Sequence, residues 1–159
     1  MADEEGSEQQ DAQKQQCIFC HIVSGKVSSK KVYEDANTIA FLDINPANPG
    51  HTLVVPKKHS EDITSADSHD IARAMEVVKM ITQRLKERMH AAGVNVIQNN
   101  GHAAGQIVAH VHFHVIPRYP NDVVVISYQR AHISDTEMEE IRKKMSETHV
   151  ERKDYDLEF

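Results

Sequence analysis

A chain of 159 residues suits one domain with a single core, and its 40% hydrophobic and 26% charged content is that of an ordinary globular protein. With a formal net charge of −6 and no run of Lys and Arg, it lacks the basic patch by which nucleic-acid binders neutralise phosphates. No stretch approaches the roughly 20 apolar residues that a membrane span needs.

The opening MADEEGSEQQDAQKQQ has neither a basic start nor an apolar run, so no signal peptide is expected. The expected location is the cytoplasm, or the nucleus, where Cys17 and Cys20 stay reduced. Residues 1–16 carry almost nothing to bury and are expected to be a disordered tail. Residues 17–159 are read as a single domain with a C-terminal helical extension.

Three segments then read as strands, Lys31–Glu34, Thr38–Ile44 and Thr52–Pro56, rich in β-branched and aromatic residues. Asn45–Gly50 (NPANPG) separates the last two as a loop, because its prolines cannot continue a ladder. Ile71, Met75, Val78, Leu85 and Met89 recur at helical spacing and predict a long helix over 66–91. Ser65 or Ser68 is the expected cap and Gly93 the expected stop. Val94–Asn99 and Val108–Pro117 follow as strands around a glycine-containing loop, NNGHAAGQ. After a short apolar run at Val123–Ile126, Ser134 and Glu137 form a capping-box start for a final helix to about His149. Grouped strands with one long helix predict an α+β fold with a mainly antiparallel sheet.

Eleven histidines are present, and three of them alternate in His110-Val111-His112-Phe113-His114. On a strand these imidazoles would share one face, about 6.6–6.8 Å apart, with Val111, Phe113 and Val115 facing the core. Such a ladder can be a catalytic face, a metal chelate, or a polar solvent face. Cys17-x-x-Cys20 has the spacing of a zinc knuckle, although two cysteines leave it two ligands short. A thioredoxin-like pair or plain free thiols are the other readings.

HVHFHVI matches the His-φ-His-φ-His-φ-φ signature, φ being apolar, and the chain resembles the histidine triad (HIT) superfamily from Cys17 to Arg118. The likeness includes CIFCHIVSG, KVYED, IAFLDINPANPGHTLVVPKKH, the NNG loop, AGQ and the closing HVIPR. It is most similar to the Hint-type nucleotide phosphoramidases and related zinc-containing microbial members.

The resemblance implies a nucleotide hydrolase whose nucleophile is His112, attacking an α-phosphate through a covalent nucleotidyl-imidazole. It makes His114 a phosphate contact and His51 a fourth histidine packed against the triad. Asn99 and Gln106 match phosphate-contacting amides, and Gly105 lets backbone approach the ligand. Asp43 matches the acceptor for ribose hydroxyls, with Ile44 and Phe19 offering apolar surface to a purine base. The same resemblance supplies His59 and His110 to complete a structural Zn²⁺ site with Cys17 and Cys20. It further implies an AMP- or GMP-like ligand and a homodimer, with neither nucleic-acid nor membrane partners. Where Hint-type proteins carry Ser or Thr after the loop glutamine, this chain has Ile107, which lacks a hydroxyl to protonate a leaving amine. A dinucleoside polyphosphate hydrolase of the Fhit type, or a nucleotide-binding module with vestigial turnover, are the competing readings. His21, His69, His90, His102, His132 and His149 are expected on the surface or on helices.

Overall fold

The computed structural model describes residues 16–127 and 130–146. The chain divides after Val124 into two compact units. The first unit carries α1 (Ile18–Val23), β1 (Lys31–Glu34), β2 (Thr38–Leu42), β3 (Thr52–Pro56), α2 (Ser68–Arg88), β4 (Gly93–Ile97), a 3₁₀ turn (His102–Ala104) and β5 (Phe113–Arg118). The second carries α3 (Asp135–Ser146). No described helix is long and apolar enough to cross a membrane.

The five strands form one antiparallel sheet in the order β1-β2-β3-β5-β4. Side-chain alternation feeds two apolar clusters on opposite faces. On one face, Ala40, Val54, Phe113 and Val115 pack against Ala74, Val77, Val78, Ile81 and Leu85 of α2. On the other, Ile39, Phe41, Leu53 and Val55 meet Cys17, Phe19 and Ile22. Cover on both sides explains why β3 reads as an unbroken apolar run and is buried at every position. Each aliphatic side chain so buried contributes about 1.5–3 kcal/mol.

The α+β architecture is as expected, while several local features differ. The cap of α2 is Asp67, whose carboxylate accepts the His69 N–H at 2.9 Å, and neither Ser65 nor Ser68 serves. Its end is turned by His90, at φ 55°, which lets the Ala91 N–H return to the Leu85 carbonyl; Gly93 instead opens β4. Met75 and Met89, expected in the buried stripe, are 43% and 45% exposed, and Ala74, Val77 and Ile81 take the inner face. Helix α1 has no counterpart in the sequence reading. It is one and a half turns long, with no capping side chain and no acidic first turn, so it lacks the usual start signals. The capping box of α3 forms: Glu137 N–H reaches Ser134 Oγ at 3.3 Å, and Ser134 N–H reaches the Glu137 carboxylate at 2.7 Å. The expected end of that helix near His149, and the 1–15 part of the N-terminal tail, lie outside the described residues.

The strand expected over Val108–Pro117 begins only at Phe113, so His110 and His112 are not strand residues. β3 pairs with β5 no further than Val54↔Phe113. Upstream, the Val111 N–H turns away to the Ser60 carbonyl, 2.8 Å, and the His110 N–H to that of Val108, 2.8 Å. Gln106 holds the same Val108 carbonyl at 3.0 Å, so the ladder has no partner there. At the other end, Gly50 adopts φ 96° beneath Leu85 and Pro117; a Cβ would sit 3.0 Å and 3.3 Å from their side chains.

Candidate active site and metal centre

Because the chain bends at residues 108–110, the triad divides its imidazoles between two sites. His110 is fully buried and points its Nδ1 at Cys17 Sγ (3.4 Å), Cys20 Sγ (3.6 Å) and His59 Nδ1 (3.3 Å). Cys20 Sγ also lies 3.4 Å from His59 Nδ1. A tetrahedron with zinc bonds of about 2.3 Å to sulfur and about 2.05 Å to nitrogen has edges of about 3.3–3.8 Å, and these four separations fall in that range. The His110 Nε2–H donates to the Pro56 carbonyl at 2.8 Å, which leaves Nδ1 as the lone-pair nitrogen facing the thiols. Burial pushes this imidazole down to about 4, so it is neutral, as a metal ligand must be. Cys17, Cys20, His59 and His110 together could hold a metal ion.

His112 and His114 face a separate cavity of about 590 Å³. Phe19, Ile22, Phe41 and Leu53 line its apolar part. Asp43, His51, Asn99 and Gly105 supply its polar end, and Ile44 and Ile107 stand at it 91% and 94% exposed. Among the described residues, no Lys or Arg lines it.

Tautomers follow from the partners. His112 Nδ1–H donates to the carbonyl of His110 at 2.6 Å, which leaves Nε2 with its lone pair. The Ala47 N–H donates to His51 Nδ1 at 3.1 Å, so the His51 proton sits on Nε2. That Nε2–H, 3.0 Å from His114 Nδ1, is the donor of the pair, which puts the proton of a neutral His114 on its own Nε2. Asp43 Oδ2 lies 3.7 Å from His51 Nε2, while its Oδ1 accepts the Asn45 N–H. Asp43, His51 and His114 are close enough together to suggest a second metal cluster. The Ala47 N–H argues against it, since His51 Nε2 must keep its proton.

Burial lowers all three cavity imidazoles. His114 is pushed down to about 4, with His112 and His51 adding to the effect. His112 is lowered by burial despite its bond to the His110 carbonyl, and His51 despite the nearby Asp43 carboxylate. Near neutral pH the cavity therefore holds uncharged imidazoles, one of them with an open lone pair.

One residue expected to touch ligand is placed differently. Gln106 is buried, and its amide is used internally: Nε2 donates to the carbonyls of Glu61 (2.6 Å) and Val108 (3.0 Å), and Oε1 accepts the Gly101 N–H (2.7 Å). It shapes the loop that presents Gly105, whose φ of 86° suits glycine. Phe19 is buried and packs edge-to-face on His112, and it also lines the apolar part of the cavity. Asp43, Ile44, Asn99 and Gly105 do line the cavity. Of the remaining histidines, His69, His90, His102 and His132 are exposed and His21 is half-buried at the end of α1.

The HIT domain family matches residues 24–121. The chain belongs to the histidine triad (HIT) family. It is 43% identical over 129 residues to an uncharacterized HIT-like protein of Methanocaldococcus jannaschii, covering 81% of this chain and 98% of that one. It is 42% identical to the adenosine 5′-monophosphoramidase of Schizosaccharomyces pombe, over 67% of this chain and 76% of that protein. The solved HIT family member from Bacillus subtilis superposes with a TM-score of 0.79 at 33% identity, covering 85% and 98% of the two chains. A zinc-bound histidine triad protein from Mycobacterium smegmatis does so with 0.67 at 40% identity, covering 74% and 84%.

Proposed function

We propose that this HIT protein hydrolyses a purine nucleoside 5′-phosphoramidate at its α-phosphorus through a covalent intermediate on His112. The observation that carries the reading is the bond from His112 Nδ1–H to the His110 carbonyl, which turns an unprotonated Nε2 toward the cavity. In the first step Nε2 attacks phosphorus, the P–N bond breaks, and the amine leaves with a proton. In the second, water attacks phosphorus and gives up a proton to solvent, the P–Nε2 bond breaks, and the nucleoside monophosphate is released. The Ile107 side chain carries no exchangeable proton, so the Nε2–H of His114 is left to hydrogen-bond the leaving nitrogen, and the proton that departs with the amine comes from solvent. Asn99 and the Gly105 backbone would meet phosphate oxygens, and Asp43 the ribose.

The 42% identity to a named adenosine 5′-monophosphoramidase supports this substrate class. A dinucleoside polyphosphate would bring several further negative charges into a cavity lined by Asp43 and by neutral imidazoles, without a Lys or Arg. The charge balance therefore favours a single phosphate. A structural zinc on Cys17, Cys20, His59 and His110 belongs to the proposal, supported by donor spacing and by the zinc-bound mycobacterial relative. A cytoplasmic homodimer completes the reading.

The test is release of amine from a fluorogenic adenosine 5′-phosphoramidate by wild type and His112→Asn, with zinc measured on the same samples. Turnover lost in the variant while zinc stays bound is the expected result. Tight nucleotide binding without turnover in folded, zinc-loaded wild type would replace the enzyme reading with that of a binding module.

A further inference from the structure

We infer that Phe19 is a positioning residue for the nucleophile, coupling the Cys₂His₂ cluster to His112. The inference rests on His112 being the attacking group. The Phe19 ring meets His112 edge-to-face with centroids 5.1 Å apart and planes at 75°. It meets His110 in the same way at 5.9 Å and 69°. Phe41 backs it at 5.7 Å, and Phe19 itself is buried. The hydrogen bond at Nδ1 sets the turn of the His112 ring about its Cβ–Cγ bond at one edge only, and rocking about that setting is limited by what packs on the ring. Phe19 and His114 (centroids 4.9 Å, planes 67°) both pack on it edge-to-face and remove that freedom. Nε2 is then held on one line of attack.

Phe19 owes its place to its sequence neighbours. It lies between Cys17 and Cys20, whose sulfurs converge on His59 and His110. Helix α1 has six residues and is too short to persist alone, so the cluster and the apolar cover beneath it hold the ring in position. Two connections thus run from the metal-binding residues to the nucleophile. One is the backbone carbonyl of His110; the other is the ring of Phe19. A phenyl group has no proton to give and no charge, so its effect must be exerted through the imidazole it touches.

Two readouts on Phe19→Leu test this. The first is steady-state turnover of the fluorogenic adenosine 5′-phosphoramidate. A misaimed nucleophile lowers kcat by roughly 10- to 100-fold while KM stays within about twofold. The second is imidazole ¹H–¹⁵N NMR on substrate-free protein, in which His112 should move from a fixed Nδ1–H pattern to averaged ring-nitrogen shifts. Zinc content and circular dichroism establish that the variant is folded. Phe19→Met, which fills the volume without a ring, replaces it if it is not. Ile39→Val trims the same apolar cluster away from the cavity and should keep wild-type kcat. A raised KM with kcat retained would make Phe19 a base-binding surface and overturn the inference. So would an equal fall in kcat in Ile39→Val, or unchanged His112 shifts. If wild type releases no amine, the proposed reaction fails, and the NMR comparison alone still decides the positioning role.

Discussion

His51 Nε2 lies 3.0 Å from His114 Nδ1, and the Ala47 N–H on the far nitrogen of His51 assigns the intervening proton to His51. The pair is thus a directional hydrogen bond that ends in a proton on His114 Nε2. His51→Ala leaves His114 Nδ1 without its donor and frees the other tautomer. We expect kcat to fall by roughly tenfold or more, with KM little changed. Steady-state kinetics on the phosphoramidate check this, and wild-type kcat in the variant would remove the relay.

The low affinity of His114 for protons has a consequence for stability. Its folded value of about 4 lies below the unfolded imidazole's 6.5, so between these two the unfolded chain binds more protons than the folded one. Stability should fall as pH is lowered from about 6.5 toward about 4, and lie flat above that window. His114→Gln should make the decline shallower, read as midpoint temperature against pH. An equally steep decline in the variant would move the effect to other groups.

Gln106 acts as a brace, since all three of its amide hydrogen bonds end on backbone. Gln106→Ala should lower unfolding free energy by about 1–3 kcal/mol, measured by urea denaturation. Gln106→Glu should be worse, because a carboxylate oxygen would replace the amide that donates to two carbonyls. If Gln106→Ala keeps wild-type stability and only raises KM, the side chain serves ligand after all.

Chelation tests the metal cluster independently of activity. Wild type should carry about one zinc per chain, and Cys17→Ser or His59→Ala should lose it. Stripping the metal should lower the melting temperature and raise the protease sensitivity of residues 17–24, leaving α2 protected. A metal-free protein with unchanged melting would make Cys17 and Cys20 ordinary thiols.

Periodicity carried most of the sheet, because β1 to β3 are short runs bounded by Asp, Asn, Pro and Gly. It misjudged the triad. Strict alternation in His110–His114 looks like one strand face, yet where a strand begins is set by its neighbours. Here β3 still reaches Val55 and Pro56 opposite His112 and Val111, but Pro56 has no N–H to give, its carbonyl is taken by His110 Nε2, and the Val111 N–H is spent on Ser60. The triad does not act as one strand face: a bend sends His110 to the cysteines and leaves His112 and His114 at the cavity. Helix α1 was invisible to local signals, since tertiary cover rather than propensity holds it. The inner face of α2 was drawn toward Met75 and Met89 because both are apolar at helical spacing. The smaller Ala74 fits closer to the sheet. Residues expected at the ligand line the cavity where side chains project freely, as with Asp43 and Asn99. Gln106 lies away from the cavity because the protein uses its amide itself.

Cys17 and His110 approach to 3.4 Å although 93 residues separate them in the chain. Closing a loop of that length early in folding is entropically unfavourable, and His110 lies buried beside strands that must already be paired. Any ion this quartet takes would therefore be captured late, after the sheet has assembled. A chain trapped short of that point would hold its thiols exposed, so the rate of metal uptake during refolding would serve as a clock for completion of the fold.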